Sequence, residues 1–175
     1  MTDMTSRDVA EILGMIERKG IRIWVDGGWA VDALLGRQTR HHADLDIVIE
    51  QKDLDPVADM LRNRGYGPAH RNNPLPWNFA LGDGARHEVD FHVVVLDEKG
   101  NGVYGPPANG QIYPAQALRG IGAIRGRLVA CISPEWLVKF RSGYELDDND
   151  RADVRALCQR FGIPLPAEIT SRPKR

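Results

Sequence analysis

Apolar positions recur along the chain with two periods, one typical of amphipathic helices and the other typical of strands. Helical spacing predicts helices over residues 6–19, 29–35, 54–61, 133–142 and 151–161. Alternating or continuous apolar runs predict strands over residues 21–25, 43–49, 77–81, 88–96, 123–124 and 128–132. Asp53 is expected to cap the third helix. The order of these elements predicts an α/β (α+β) fold, in which helices pack on a mixed sheet.

Residues 97–115 carry neither period. They are rich in Gly, Pro and Asn, and loops of that length in a compact domain are usually functional or disordered. We therefore expect a long loop there, with Tyr104 as a lid residue. The chain shows no internal repeat and no linker, so residues 1–175 are expected to form a single domain, with a core at about 5–132 and a C-terminal helical part at about 133–165.

The strand at residues 43–49 contains Asp44-Leu45-Asp46. Residues two apart on a strand point the same way, so both carboxylates project from one face while Leu45 and Ile47 cover the other. Two adjacent carboxylates repel each other unless a positive charge lies between them, and Mg²⁺ prefers carboxylate oxygen. The pattern therefore predicts a metal site, although a solvated pair of acids would have the same spacing.

A Gly-Gly turn precedes this strand. The run Trp24-Val25-Asp26-Gly27-Gly28 reads as a short apolar strand that leads into a helix. Glycines at the start of a helix allow backbone N–H groups to approach an anion closely. Together with the two acids, this turn predicts a site for a metal-bound triphosphate.

A phosphoryl-transfer site with two metal ions generally uses a third acid, as a metal ligand or as the base for the attacking hydroxyl. Asp90 is the best candidate, because it lies on the strongly alternating strand at residues 88–96. Glu88, Asp90 and His92 share the polar face of that strand. His92 would orient Asp90 or contact the substrate, and an ordinary surface histidine is the alternative.

The bulk composition narrows the classes of function. The 175 residues carry a net charge of −1, and the pI is near 6.5, which disfavours a general nucleic-acid binder.

Cys131 and Cys158 form no C-x-x-C pair and are expected to be buried free thiols. The side chains of the adjacent His41 and His42 diverge, which disfavours zinc. With no apolar leader and no run long enough to cross a membrane, a cytoplasmic protein without membrane contact is expected.

The spacing of these motifs resembles that of the nucleotidyltransferase superfamily, with Gly28 sixteen residues before Asp44. The chain is most similar to the short lincosamide nucleotidyltransferases and more distantly similar to the aminoglycoside 2''-nucleotidyltransferases, over about residues 5–162. The matching stretches are Trp24-x-Asp26-Gly27-Gly28-Trp29-x-Val31-Asp32, Gly36, Arg40, His42-x-Asp44-Leu45-Asp46-Ile47, Asp90-x-His92, Cys131-Ile132-Ser133-x-Glu135, Ser142-Gly143-Tyr144-Glu145-Leu146, Asp150, Asp153 and Leu157. The Ser-Gly-Tyr block points to the lincosamide branch.

The resemblance implies a nucleotidyltransferase-type fold and an adenylyltransferase mechanism. ATP or another nucleoside triphosphate would bind with two Mg²⁺ ions on Asp44, Asp46 and Asp90, and Asp90 would serve as the general base. Phosphates would be bound by Gly27, Gly28, Arg40 and Lys139. Many superfamily members place a lysine at the position of Lys139 on a late helix, whereas the most similar lincosamide enzymes do not.

The resemblance also implies a small antibiotic as acceptor, a lincosamide before an aminoglycoside, bound with help from His92, Trp77 and Tyr104. Simple packing is equally compatible with Trp77. The acids Glu145, Asp147, Asp148 and Asp150 could attract a polycationic aminoglycoside, but acids at the start of a helix also stabilise it. Other acceptors left open are a protein side chain, as in toxin–antitoxin pairs, and an RNA end. A degenerate nucleotide binder is the non-enzymatic alternative, and the protein is expected to be a monomer or a homodimer.

Overall fold

The computed structural model describes residues 4–69, 74–85, 87–106, 108, 110–142 and 145–170. Within them the helices are α1 (Ser6–Arg18), α2 (Gly27–Leu35), α3 (Leu54–Arg62), α4 (Pro134–Phe140), α5 (Asp148–Phe161) and α6 (Ala167–Thr170). The strands are β1 (Ile23–Val25), β2 (Asp44–Glu50), β3 (Gly67–Pro68), β4 (Asn78–Gly82), β5 (Glu88–Leu96), β6 (Gly102–Tyr104), β7 (Ile112–Tyr113), β8 (Gly120–Ile124) and β9 (Arg127–Cys131). No helix in these ranges is both long and apolar enough to cross a membrane.

The strands form one mixed sheet in the order β3-β4-β5-β2-β1-β9-β8, and β6 and β7 extend from β5. The directions of the central strands determine where the turn and the aspartates lie, because β2 runs parallel to β5 and antiparallel to β1. The C-terminal end of β1 therefore lies at the same end of the sheet as the N-terminal ends of β2 and β5. This is the end at which the Gly-Gly turn and the aspartates are found.

The core lies between the sheet and the helices. Leu45, Ile47 and Phe91 on the central strands are fully buried, as are Trp29 of α2 and Leu157 of α5. Helix α2 packs against β8, β2 and α5. The predicted α/β class, with helices on a mixed sheet, is confirmed, and both cysteines are buried free thiols as predicted.

The N-termini of two helices are capped by side chains directly before them in the sequence. Thr5 caps α1 in a capping box with Asp8, and Asp147 caps α5 by accepting a hydrogen bond from the Asp150 N–H at 2.7 Å. Asp53 stands at the N-cap position of α3 as expected, but its side chain makes no capping hydrogen bond. A 3-10 turn over Gln51–Asp53 runs directly into α3, and the Asp53 carboxylate lies 3.5 Å from Lys52 Nζ instead.

Two other segments differ from the prediction. Residues 97–115 contain the strands β6 and β7 rather than forming only a loop, and Tyr104 is the last residue of β6. Helix α5 begins at Asp148, three residues before the predicted start, because Asp147 is its cap. The predicted hairpin at residues 123–132 is confirmed, with positive φ at Arg125 and Gly126 in its two-residue turn.

Candidate active site

The two central parallel strands bring the predicted acids together. Asp46 of β2 is paired in register with Asp90 of β5, and Asp44 is paired with Glu88. Leu45 is fully buried on the other face of β2, so the alternation predicted from the sequence places the acids on one side of the sheet.

Asp46, Asp90 and His92 each offer a ligand atom, and these atoms all lie within 4.8 Å of one another. Asp44 lies beyond this group on the same strand face. Two carboxylates supply the oxygen ligands that Mg²⁺ prefers, whereas imidazole is a more usual ligand of transition metals. The donor set thus fits a divalent cation held mainly by Asp46 and Asp90, and Asp90 is only 5% exposed.

His92 is tied to Asp46 and to neighbouring strands. Its Nε2 lies 3.3 Å from Asp46 Oδ1, and its Nδ1 lies 3.2 Å from the Tyr104 hydroxyl and 3.3 Å from Asn78 Nδ2. Burial alone would lower the pKa of His92, but the hydrogen bond to Asp46 and the charges of Asp26, Asp46 and Asp90 raise it to about 9. Without a bound metal ion, these carboxylates therefore favour the protonated form of His92, which offsets part of their negative charge.

The Gly-Gly turn lies directly against Asp46. Gly27 has φ +59°, and a Cβ atom at this position would lie 2.8 Å from Asp46 Cγ, so only glycine fits there. Asp26 precedes it as the cap of α2, and its backbone N–H donates to the Asp46 carbonyl at 2.9 Å. The start of α2 and the Asp46 carboxylate therefore adjoin each other.

Gly28 lies beside two nitrogen-bearing side chains. A Cβ atom on Gly28 would lie 2.6 Å from both Arg40 Nη2 and His42 Cε1. Arg40 is held by Asp153, with Nη2 3.0 Å from Oδ2 and Nε 3.4 Å from Oδ1. His42 is buried, and its Nε2 lies 2.5 Å from Asp32 Oδ2. A helix N-terminus beside a fixed guanidinium is suited to an anion such as phosphate.

Asp26 is a fourth carboxylate near this group, and it was not predicted as a site residue. It is half-buried, and its removal from water, with the nearby charge of Asp46, raises its pKa above the usual range. Its Oδ2 accepts a hydrogen bond from the Tyr113 hydroxyl at 3.0 Å, and its Oδ1 accepts one from the Gly27 N–H at 2.8 Å. An aspartate directly before a glycine-rich helix start was the one sequence signal that could have identified it.

The three remaining candidates have different positions. Tyr104 reaches the site through His92. Trp77 lies beside Val93, because Val93 N–H donates to the Trp77 carbonyl and the next residue, Asn78, is paired with His92. Trp77 lines a pocket with Val93, Val94 and Val95 of β5, and its ring lies against Gly105. Lys139 is exposed, and its Nζ lies 4.3 Å from the centre of the Trp136 ring. The structure brings neither Trp77 nor Lys139 to the carboxylates.

The Ser-Gly-Tyr block is described only in part, since Gly143 and Tyr144 lie outside the described residues. Two of the acids that follow this block are engaged at the start of α5. Asp147 caps the helix, and Asp150 Oδ1 lies 3.3 Å from Arg141 Nε.

Comparisons with known proteins show which proteins this chain resembles. Residues 8–157 match the model of the aminoglycoside-2''-adenylyltransferase family. A lincosamide resistance protein from Staphylococcus haemolyticus is 28% identical over 155 residues, which cover 89% of this chain and 95% of that protein. A 2''-aminoglycoside nucleotidyltransferase from Escherichia coli is 36% identical, but over only 59 residues, or 32% of this chain and 33% of that protein.

Solved structures show the same similarity. The lincomycin-bound structure of the lincosamide antibiotic adenylyltransferase LnuA has a TM-score of 0.78 at 28% identity, and the match covers 89% of this chain and 98% of that one. The structure of ANT(2'')-Ia with adenylyl-2''-tobramycin has a TM-score of 0.67 at 22% identity, over 90% of this chain and 89% of that one, and supports the fold alone. The resemblance to antibiotic nucleotidyltransferases predicted from the sequence is confirmed, and this chain belongs to the aminoglycoside-2''-adenylyltransferase family.

Proposed function

We propose that this chain transfers AMP from ATP to a hydroxyl group of a small antibiotic, preferably a lincosamide, in a reaction that requires Mg²⁺ and inactivates the antibiotic. The observation that carries the proposal is the Asp46–Asp90 pair on parallel strands, directly beside the Gly27-Gly28 start of α2. Carboxylates for a cation thus adjoin backbone N–H groups for an anion, and a metal-bound triphosphate needs both. The use of ATP assigns the reaction to the cytoplasm.

The strand acids have two roles in this proposal. Asp44, Asp46 and Asp90 would hold the two Mg²⁺ ions, which when bound neutralise charge that develops on the phosphates. Asp90 accepts the proton of the acceptor hydroxyl. As it does so, the hydroxyl oxygen forms a bond to the α-phosphorus of ATP, and the bond between the α-phosphorus and the departing pyrophosphate breaks. His92 orients Asp46 through the contact to Oδ1. Most of the rate enhancement then comes from positioning and charge neutralisation.

Phosphates would be bound at the Gly27-Gly28 turn and by Arg40, whose guanidinium is fixed beside Gly28 by Asp153. Gly28 rather than Gly27 would be the N–H donor, because the Gly27 N–H donates to Asp26 Oδ1. Lys139 would have to leave the Trp136 ring before it could reach a phosphate. We therefore assign the main cationic contact to Arg40.

Two observations favour a lincosamide as acceptor. The similarity to the lincosamide resistance protein spans most of both chains, whereas the match to the 2''-aminoglycoside enzyme spans about a third. In addition, a polycation requires several uncommitted carboxylates, and Asp147 and Asp150 are engaged at the start of α5. An aminoglycoside remains the second candidate, because the matching family model is that of the 2''-adenylyltransferases.

A panel of acceptors tests this proposal. The purified protein is incubated with ATP, Mg²⁺ and lincomycin, clindamycin, kanamycin or gentamicin, and mass spectrometry detects the added AMP. We expect a higher kcat/KM for the lincosamides than for the two aminoglycosides. Faster modification of kanamycin or gentamicin than of both lincosamides would reverse the acceptor assignment, and no AMP transfer to any of the four would contradict an antibiotic acceptor.

Arg40→Lys tests the phosphate contact. Lysine keeps the positive charge but cannot hold Asp153 with two nitrogens and also present a third to a phosphate. Loss of one charge-assisted hydrogen bond, about 1.5–3 kcal/mol, corresponds to a rise of roughly tenfold or more in the KM for ATP. Because Arg40 would contact the phosphate in bound ATP and in the transition state alike, kcat should change less than the KM for ATP.

The matched control is Arg37→Lys, an exposed arginine of the same loop. An unchanged KM for ATP in Arg40→Lys, measured beside this control, would remove Arg40 from the nucleotide site.

A further inference from the structure

Strands β6 and β7 form a two-stranded ribbon (Gly102–Tyr104 and Ile112–Tyr113) that extends from the end of β5. It carries a tyrosine at the end of each strand, and the two rings meet edge to face with their centres 5.8 Å apart. Each hydroxyl is hydrogen-bonded to a residue beside Asp46, Tyr104 to His92 and Tyr113 to Asp26. We call Tyr104 and Tyr113 the tyrosine pair.

Tyr104 is linked to one oxygen of Asp46. Its hydroxyl accepts a hydrogen bond from Asn78 Nδ2 and lies 3.2 Å from His92 Nδ1. On the other side of the ring, His92 Nε2 lies 3.3 Å from Asp46 Oδ1. The tyrosine thus fixes the imidazole that holds this oxygen.

Tyr113 is linked to the backbone that lies against the other oxygen. Its hydroxyl donates to Asp26 Oδ2 at 3.0 Å, and Asp26 Oδ1 accepts the Gly27 N–H at 2.8 Å. Gly27 in turn lies against Asp46 on the side of Oδ2, where a Cβ atom would collide with the carboxylate. Burial and the neighbouring Asp26 raise the pKa of Tyr113 well above its usual range, so it remains a phenol that can donate.

We propose that the tyrosine pair positions Asp46 as a metal ligand, with Tyr104 acting through His92 on Oδ1 and Tyr113 acting through Asp26 and Gly27 on Oδ2. The proposal rests on the proposed function, in which Asp46 holds Mg²⁺. The terminal torsion of an aspartate is broad, and the adjacent acids repel Asp46, so its plane needs outside support. Outer partners of metal ligands typically contribute 10-fold to 100-fold in metal affinity or activity.

The test uses Tyr104→Phe, Tyr113→Phe and the double variant in the full chain, and Mn²⁺ serves as a spectroscopic probe for the metal. Electron paramagnetic resonance measures Mn²⁺ binding in the absence of substrates. We expect each single variant to bind Mn²⁺ about tenfold more weakly, at the lower end of the range for outer partners. In the double variant, the second substitution should lower the affinity for Mn²⁺ by a smaller factor than the first, because both tyrosines fix the same carboxylate.

Tyr66→Phe is the matched control, a half-buried tyrosine after α3 whose backbone N–H donates to the Leu61 carbonyl. It should bind Mn²⁺ as the wild type does. Asp46→Asn provides a second control background, in which the tyrosine substitutions should have little further effect on Mn²⁺ binding. Thermal unfolding verifies that each variant is folded, and Tyr104→Phe, the less buried of the two, remains informative if Tyr113→Phe is unstable.

Kinetics adds an independent result. The Mg²⁺ concentration for half-maximal AMP transfer should rise in the tyrosine variants, while in Tyr113→Phe the KM for the antibiotic stays near the wild-type value. Mn²⁺ binding equal to that of the wild type in both folded single variants would overturn the role of the pair. Failure of the wild-type protein to transfer AMP would contradict the proposed function instead, so the two ideas can fail separately.

Discussion

Asp46→Asn should reduce AMP transfer to below about a tenth of the wild-type rate, since a loss of only about 1.4 kcal/mol in the transition state has that effect. Asparagine nearly keeps the shape of the side chain but removes the charge on which the metal depends. Asp46 lies within 4.8 Å of ligand atoms on both Asp90 and His92, and it adjoins the Gly-Gly turn. No other carboxylate among the described residues combines these two contacts.

The measurement is the rate of AMP transfer at saturating ATP and Mg²⁺, with Mn²⁺ binding as the second readout. Asp55→Asn, an exposed aspartate in the first turn of α3, controls for the loss of one negative charge. Thermal unfolding should show both variants folded. If Asp46→Asn retained more than about a tenth of the wild-type rate, its role as metal ligand would be wrong.

Asp44→Asn extends this prediction to the second acid of the pair. Asp44 shares the strand face of Asp46 but lies outside the close group with Asp90 and His92. Loss of most activity is expected here too if Asp44 holds one of two ions. Full activity in Asp44→Asn together with an inactive Asp46→Asn would restrict the site to a single ion on Asp46 and Asp90.

The position of Asp44, Asp46 and Asp90 on one side of the sheet could be predicted, because the alternation of apolar and polar residues along a strand is visible in the local sequence. Two strongly apolar strands, one with Asp44 and Asp46 and the other with Asp90, have one way to bury their apolar faces, which turns the acids to the same side. Their parallel pairing in the structure then places Asp46 directly opposite Asp90. The Gly-Gly turn was predicted for a similar reason, since glycine marks close approach of the backbone.

Residues 97–115 could not be predicted in the same way. Strands β6 and β7 have three and two residues, too few to show a period, and the surrounding Gly, Pro and Asn favour a loop. These strands are stabilised by pairing with β5 and with each other, which are contacts that the local sequence does not reveal.

The partners of the site residues depend on long-range contacts. Arg40 and Asp153 are 113 positions apart in the sequence, and Tyr113 and Asp26 are 87 apart. A single sequence fixes none of these pairings, so the acids were predicted while most of the residues that hold them were not.

Asp90→Asn should lower the rate of AMP transfer by about 10²-fold to 10⁴-fold, the usual contribution of a general base, while ATP binding weakens far less. The base acts only when the acceptor hydroxyl loses its proton, so its removal affects the transition state more than the bound nucleotide. Asp90 is buried and paired in register with Asp46, which places it within reach of both a metal ion and a hydroxyl at the site.

Single-turnover rates and an equilibrium measurement of ATP binding in the presence of Mg²⁺ separate these two roles. Asp55→Asn again serves as the control for charge. A large drop in the single-turnover rate with nearly unchanged ATP affinity supports Asp90 as the base, because a residue that acted only on the metal would alter nucleotide binding as well. Weaker Mg²⁺–ATP binding with unchanged turnover at saturation would make Asp90 a metal ligand alone. The proton of the acceptor would then have to leave through another group.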